Sequence, residues 1–422
     1  MEQIDQQPGG EARGSAGEAG HRMVGDMSPT TSHHDVVVVG SRCAGASTAM
    51  LLAQQGVDVV TIDRSRFPSD TLSTHSLARG AVVQLHRWGI LDEVLASGAP
   101  AIREVSFHIG DTVIRKDIKA AAGVDHLVAP RRHILDDILL RAAEQAGARV
   151  RTGVTVTDVT RAATGRVDGV VGRGADGEPV ELHARFVVGA DGLRSRIARA
   201  VDAPVTDQRH ANGACHYTYV ADLDFQGTEF HLSDGGFVGL FPTHCGEANV
   251  WVSTPVDRAE GLRGGVDRNR AFRDLVAEIS PAFADRLAAA RQTAPVRGFS
   301  AMPNLLRQPV GDGWALVGDA SYFRDAITGH GMTDAFRDAE HLARTIGAVL
   351  AGDVDEADAM ARYHARRDEM VSDLFEITCA LALFPAPDRF SELQKQLSRC
   401  IEAEAESLAA LPPIRPVGAF AA

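Results

Sequence analysis

An α/β fold is predicted by three short segments in fixed order. Val36-Val37-Val38-Val39-Gly40-Ser41-Arg42-Cys43-Ala44-Gly45-Ala46-Ser47 lies near the start, Gly189-Ala190-Asp191-Gly192 midway and Gly318-Asp319-Ala320 late. The first reads as a buried strand, a glycine turn and a helix, an arrangement whose helix N-terminal N–H groups can hold a pyrophosphate. Gly40 makes the tight turn and Gly45 lets the helix pack on the strand. Arg42 and Cys43 stand where a Gly-Pro or Gly-x pair is commoner, so this turn alone is weak evidence. The second strand, Val57-Asp58-Val59-Val60-Thr61-Ile62, ends in Asp63, 18 residues beyond Gly45, where a carboxylate accepts hydrogen bonds from an adenosine ribose. Arg64 follows it and joins the cofactor set.

Composition narrows the class. The chain has 422 residues, 45% of them hydrophobic and 23% charged, which suits a globular protein with two subdomains and a tail. A net charge of −13 with no basic run argues against nucleic acid and anionic membrane as partners. No apolar run approaches the roughly 20 residues that span a bilayer, and no secretory leader pattern opens the chain, so a cytoplasmic protein is expected. Cys43, Cys215, Cys245, Cys379 and Cys400 form no metal-ligand spacing and no disulfide framework; they read as reduced, and no metal is expected. Lysine occurs only at Lys116, Lys119 and Lys395, which suggests a GC-rich bacterial source.

Along the chain, residues 1–34 lack hydrophobic period and read as a disordered tail. Residues 35–110 form the first part of a Rossmann-like FAD-binding domain and 111–210 its second part with strand excursions. A β-rich substrate domain is expected over 211–305, a third part of the FAD-binding domain over 306–350 and a helical C-terminal segment over 351–422. Helices are expected near 84–95 and from 130 to 147, a strand over 150–159, and helix from about 267 onward apart from Trp314-Ala315-Leu316-Val317. Gly172-Arg173-Gly174-Ala175-Asp176-Gly177 matches G-x-G-x-x-G but lies between two strand-like runs and opens no helix, so it reads as a hairpin turn.

The remaining segments complete the cofactor site. Asp191 can cap the turn after its strand, and Thr328-Gly329-His330-Gly331-Met332 leads into a long helix whose N-terminus stabilises negative charge on a reduced isoalloxazine ring. In order and spacing these segments specify FAD. The chain resembles the FAD-dependent oxidoreductases of the p-hydroxybenzoate hydroxylase and geranylgeranyl reductase type over roughly residues 35 to 375. The resemblance implies that Gly40, Ala44, Gly45 and Ala46 wrap the pyrophosphate and that Asp63 holds the ribose. It also implies that Arg132 reaches the cofactor, with Arg131 as its rival, that Val156 lies against the adenine, that Asp319, after Gly318, binds the ribityl chain, and that Gly331 and Met332 lie at the ring. Ala326 stands where hydroxylases of this type carry a proline, and the isolated Trp88, Trp251 and Trp314 set halogenation aside.

Near the flavin, His75 and His330 are candidates for proton transfer or are solvated loop histidines. Tyr217 and Tyr219 share one strand face and are candidates for substrate contact or for plain core. Arg324 either binds an acidic substrate or pairs with Asp325. The reaction expected from the resemblance is monooxygenation: a flavin C4a-hydroperoxide passes one oxygen from O2 to a small organic substrate, of a kind met in secondary metabolism. NAD(P)H binding transiently, or a separate flavin reductase, supplies the electrons. Two rivals are a reductase or dehydrogenase acting on an alkene and a non-redox flavoprotein cyclase.

Overall fold

The computed structural model describes residues 30–262 and 267–416. The first unit is β1 (Thr30–Val39), α1 (Cys43–Gln54) and β2 (Val59–Asp63), followed by α2 (Arg79–Arg87) and α3 (Leu91–Ala96). A hairpin of β3 (Glu104–Ile109) and β4 (Thr112–Asp117) precedes α4 (Arg132–Gln145) and β5 (Arg149–Thr152). Then come β6 (Thr155–Arg161), β7 (Val167–Arg173), β8 (Pro179–Gly189), α5 (Arg196–Ala200) and β9 (Val205–Arg209). The next run is β10 (Gly213–Ala221), β11 (Thr228–Ser233), β12 (Gly236–Pro242) and β13 (Ala248–Pro255), with α6 (Arg268–Ile279) and α7 (Pro281–Ala289) behind it. Short strands follow: β14 (Arg291–Gln292), β15 (Arg297–Ser300), β16 (Asn304–Arg307), β17 (Val310–Gly311), β18 (Trp314–Leu316) and β19 (Tyr322–Phe323). Three helices finish the described chain: α8 (Gly331–Ala351), α9 (Glu356–Leu381) and α10 (Pro387–Ala409).

These elements form two large sheets. In the first, the strands run β17-β18-β8-β1-β2-β5, with β6 and β7 joined through β8. β1 lies parallel to both β2 and β8, and its four valines, Val36 to Val39, are buried. A parallel strand covered on both faces needs such a continuous apolar run, because neither side meets water. α1, α4 and α8 cover one face. The second sheet runs β14-β10-β13-β12-β11-β3-β4. Its alternation puts Val220, Val238, Leu240, Val250 and Val252 against α6 and α7 on one side, and Tyr217, Tyr219, Phe237, Phe241 and Trp251 on the other.

Several boundaries differ from expectation. The tail expected over 1–34 is shorter, since Thr30 to His34 extend β1 along β8; residues 1–29 lie outside the described residues. β3 and β4, assigned by position to the FAD-binding domain, belong to the second sheet, because β3 pairs in parallel with β11. The helix near 84–95 is two helices separated at Gly89, whose φ is +73°, and the strand over 150–159 is broken at Gly153 (φ +74°). The stretch from Arg291 to Phe323 carries short strands joined by coil and turns rather than the expected helix. The 172–177 glycine run is the β7–β8 hairpin turn, where Gly174 N–H donates to the Glu178 carbonyl. No helix of the described residues is long and apolar enough to cross a membrane.

A buried ionic cluster joins α8 to α10. Arg337 pairs with Asp334 (3.0 Å), Asp338 (3.0 Å) and Glu404 (2.6 Å), and it donates to the Tyr322 hydroxyl. Removing the cation would leave Asp338 without its ion-pair partner in the interior and take one partner each from Asp334, which keeps Arg324, and Glu404, which keeps His330. Arg337→Met is therefore expected to cost about 3–5 kcal/mol in urea unfolding, the range for breaking a buried pair on one side only.

Candidate functional site

A cavity of about 760 Å³ opens at the C-terminal ends of β1, β2 and β8 and extends to the N-terminus of α8. Gly40 is indispensable to its wall. Its φ is +100°, and a Cβ there would lie 2.4 Å from the Ala190 carbonyl oxygen; a Cβ on Gly45 would lie 1.7 Å from the Gly40 oxygen. The turn can thus bring α1 against β1 only with glycine at both positions. No side chain caps the start of α1, and Cys43 and Ala44 line the cavity, so the amides of its first turn are available to an anion.

The thinned glycine run has a partner that sequence reasoning missed. Asp136 of α4 is fully buried and accepts from Arg42 (2.7 Å), from Arg132 through Nε and Nη2 (2.9 and 3.1 Å) and from the Cys43 thiol (3.3 Å). Burial, above all, pushes the Cys43 thiol up, so it stays protonated. The i,i+4 spacing of Arg132 and Asp136 was the available signal.

Of the expected cofactor residues, Gly40, Ala44, Asp63, Arg64, Arg132, Val156, Asp191, Asp319, Gly331 and Met332 line the cavity. Asp63 already accepts from Ser41 N–H (2.9 Å) and Ser65 N–H (2.7 Å), one on each oxygen, which leaves a further lone pair on each. Asp191 caps α5, taking the Ser195 hydroxyl (2.5 Å) and the Arg196 amide (2.6 Å). Gly45, Ala46 and Gly318 stand behind the wall: a Cβ on Gly318 would meet the Ala44 Cβ at 3.0 Å. Arg131 turns away, ion-paired to Glu247 at 3.0 Å with its guanidinium 3.5 Å over the Tyr219 ring. Of the two rival arginines, Arg132 is the one at the cavity.

Of the four expected proton-transfer and substrate-contact residues, His75, Tyr217 and Tyr219 come together, with ring centroids 5.5 Å, 6.0 Å and 6.2 Å apart, whereas His330 pairs elsewhere, with Glu404. His330 contributes to the cavity wall at the head of α8, but its ring is buried, with Nε2 2.5 Å from Glu404 Oε2. His75, at φ +66°, is fully buried and stacks on Tyr219 with ring centroids 5.5 Å apart. Burial, then Arg132 and Arg131, hold its pKa well below the usual histidine range, so it is neutral at physiological pH. Neither histidine is a solvated loop residue. Tyr217 and Tyr219 are core, and the Tyr217 hydroxyl accepts from Ser73 N–H at 3.2 Å. Arg324 pairs with Asp334, not Asp325. Asp325 lines the cavity, caps Ile327 N–H at 3.0 Å, and is raised to about 6 by burial against that hydrogen bond.

Residues 33–378 match the model of the FAD binding domain family. The chain belongs to this family. Among relatives, a digeranylgeranylglycerophospholipid reductase 1 of Methanopyrus kandleri is 30% identical over 365 residues, covering 81% of this chain and 88% of that protein. A digeranylgeranylglycerophospholipid reductase of Methanocella arvoryzae is 27% identical, covering 79% and 82%. A probable FAD-dependent monooxygenase from Pseudomonas aeruginosa superposes with a TM-score of 0.74 at 24% identity, over 86% of this chain and all of that one. A myxobacterial chondrochloren halogenase gives 0.74 at 21% identity, over 89% and 96%. The protein is an FAD-dependent oxidoreductase, and its cavity fits the cofactor: a glycine cradle without room for Cβ atoms, open helix N-termini and acids at Asp63 and Asp319.

Two expectations follow. Asp63→Ala removes a charge-assisted acceptor, and FAD affinity should fall by about 1.5–3 kcal/mol, read by equilibrium dialysis; an unchanged Kd would return Asp63 to a purely structural role. Asp319 is raised from an ordinary 3.8 to about 6, chiefly by burial, with Arg132 opposing. An acid with a raised folded pKa contributes stability below its unfolded pKa and loses it as pH rises through the folded one. In FAD-free protein, Asp319→Asn should match the parent near pH 4 and exceed it above pH 6, by about 3 kcal/mol at most, while binding FAD more weakly.

Proposed function

We propose that this FAD-dependent oxidoreductase is a monooxygenase acting on a small, largely apolar organic molecule. Bound FAD supplies two-electron redox chemistry and reaction with O2. In the net reaction one oxygen atom enters the substrate, the other leaves as water, and two electrons come from NAD(P)H bound transiently or from a separate flavin reductase. The observation that carries the reading is the aromatic face of the second sheet: Ile327, from the loop before α8, packs against the cluster that contains Tyr217, Tyr219, Phe241 and Trp251. Such a wall orients an apolar substrate beside the cofactor loop and keeps water out. Its polar groups are phenol, indole, amide and neutral imidazole, and none of them is a carboxyl.

Reduction of a carbon–carbon double bond is the second reading, favoured by the relatives named as reductases. Hydride addition to an alkene needs a proton at the neighbouring carbon, and Asp325, raised to about 6, is the cavity carboxyl placed to give one. A Cβ on Gly213, at the start of β10, would lie 2.5 Å from Asp325 Oδ2, so this carboxyl borders the sheet. Turnover under ¹⁸O2 separates the two. A product heavier by one labelled oxygen, with Asp325→Asn retaining most of the activity, is expected. Substrate consumption without label, abolished in Asp325→Asn, would replace oxygen transfer by reduction.

A further inference from the structure

The aromatic face of the second sheet holds a set of polar atoms that the fold itself leaves unpaired. Across β10, β13 and β12, Tyr219 stands opposite Asn249, Asn249 opposite Phe241, and Tyr217 opposite Trp251, so these side chains share one face. Asn249 is 0% exposed, and neither its amide nitrogen nor its oxygen has a hydrogen-bond partner. The same holds for the Tyr219 hydroxyl, the Trp251 Nε1 and both ring nitrogens of His75, which stacks on Tyr219.

The other face of the same sheet is different. There Thr218 donates to the Ala294 carbonyl at 2.6 Å, and Glu229 holds Arg286 at 2.7 Å and His231 at 3.2 Å. Buried polar groups are almost always paired, and an unpaired one costs the full loss of its hydration. A concentration of such groups on the face that meets Ile327 of the cofactor loop, beside strands whose opposite face pairs Thr218, Glu229 and His231, marks a place where a ligand completes the bonding.

The chemistry of that ligand can be read from the groups it must satisfy. They offer donors from an indole N–H, an amide NH2 and a phenol, and acceptors from an amide oxygen, a phenol and an imidazole nitrogen. None carries a charge at neutral pH. The arginines near this face are already paired, Arg131 with Glu247 at 3.0 Å, Arg132 with Asp136 at 2.9 Å and Arg297, opposite Tyr217, with Asp70 at 3.4 Å, so a carboxylate or phosphate would enter without a counter-charge of its own. The walls are rings: Trp251 stacks on Phe241 at 5.5 Å and meets Phe237 edge-on at 5.4 Å, surfaces suited to a flat partner.

We propose that this face binds an uncharged, planar, mostly apolar molecule whose hydroxyl, carbonyl or amide group takes up the free hydrogen bonds of Asn249, Tyr219, Trp251 and His75, and that anionic analogues are rejected. The inference rests on the reading that an organic substrate sits beside the cofactor loop, and it holds whether oxygen or hydride is transferred.

The test is equilibrium titration of the FAD-loaded protein at pH 7 with 2-naphthol and with 2-naphthoate, followed by perturbation of the flavin absorption and quenching of tryptophan fluorescence. Naphthol is expected to bind at least tenfold more tightly. Asn249→Leu should weaken naphthol at least tenfold while the ligand-free melting temperature stays level or rises, because an unpaired amide is no longer buried. Trp251→Phe, which keeps a ring and deletes the N–H, is the second variant should the first fail to fold, and a several-fold loss of naphthol affinity is expected.

Naphthoate binding as tightly as naphthol, or no naphthol binding at all, overturns the proposal. So does a drop in melting temperature in Asn249→Leu with naphthol affinity unchanged, since the amide would then belong to the fold through an internal water. A negative ¹⁸O2 experiment alongside the expected naphthol preference removes only the monooxygenase reading. Labelled product alongside equal naphthol and naphthoate binding removes only the ligand class.

Discussion

Asp136 is the point through which the cofactor end of the molecule is held together. A lone carboxylate in an apolar interior would protonate, and a lone guanidinium would seek water. Here the Asp136 carboxylate meets Arg42 from the glycine turn and Arg132 from its own helix, and the three settle one another's charges. α4 is thereby tied to the β1–α1 turn, and Arg132 is fixed at the cavity rather than free to swing. The same pairing explains how the turn works with arginine and cysteine in place of further glycines. Its rigidity comes from cross-links between elements and not from conformational economy at each residue.

A second ionic device lies under α8. Buried ion pairs add little net stability, because desolvating each charge offsets most of the attraction, but they specify which geometry is reached. Arg324, Arg337, Asp334, Asp338 and Glu404 interlock with Tyr322 so that the loop after Gly318, the head of α8 and α10 have one common arrangement. The open N-terminus of α8 is thus presented to the cavity by a network of charges, whereas that of α1 is presented by close backbone packing.

Much of this was legible in the sequence wherever the information is local. A valine run ending in glycine, an acid at the end of the next strand and a Gly-Asp after a third strand all declare themselves within a dozen residues, and they recover the parallel sheet and most of the cavity wall. Pairings between distant segments leave no such mark. β3 joins β11 across more than a hundred residues, and nothing in Glu104–Ile109 says which sheet it enters. Asp136 looks like one more polar residue on an amphipathic helix until Arg42 is seen beside it. Asn249 sits in an ordinary strand, and only cross-strand register reveals it beside Tyr219 with its amide unpaired. Thr74 and Ser76, on either side of His75, line the cavity, as does His330, but loop position does not reveal that both histidine rings are buried.

The contact between His330 and Glu404 has a consequence for the order of biosynthesis. The family match ends at residue 378, yet the head of α8 is tied to a carboxylate 26 residues further on. Chains emerge from the ribosome N-terminus first, and domains tend to fold as they appear. The glycine turn and its acid can form early in synthesis, since both lie within the first seventy residues. The α8 end of the cavity cannot take its final shape until α10 has been made and docked. One half of the cavity wall exists before the other does.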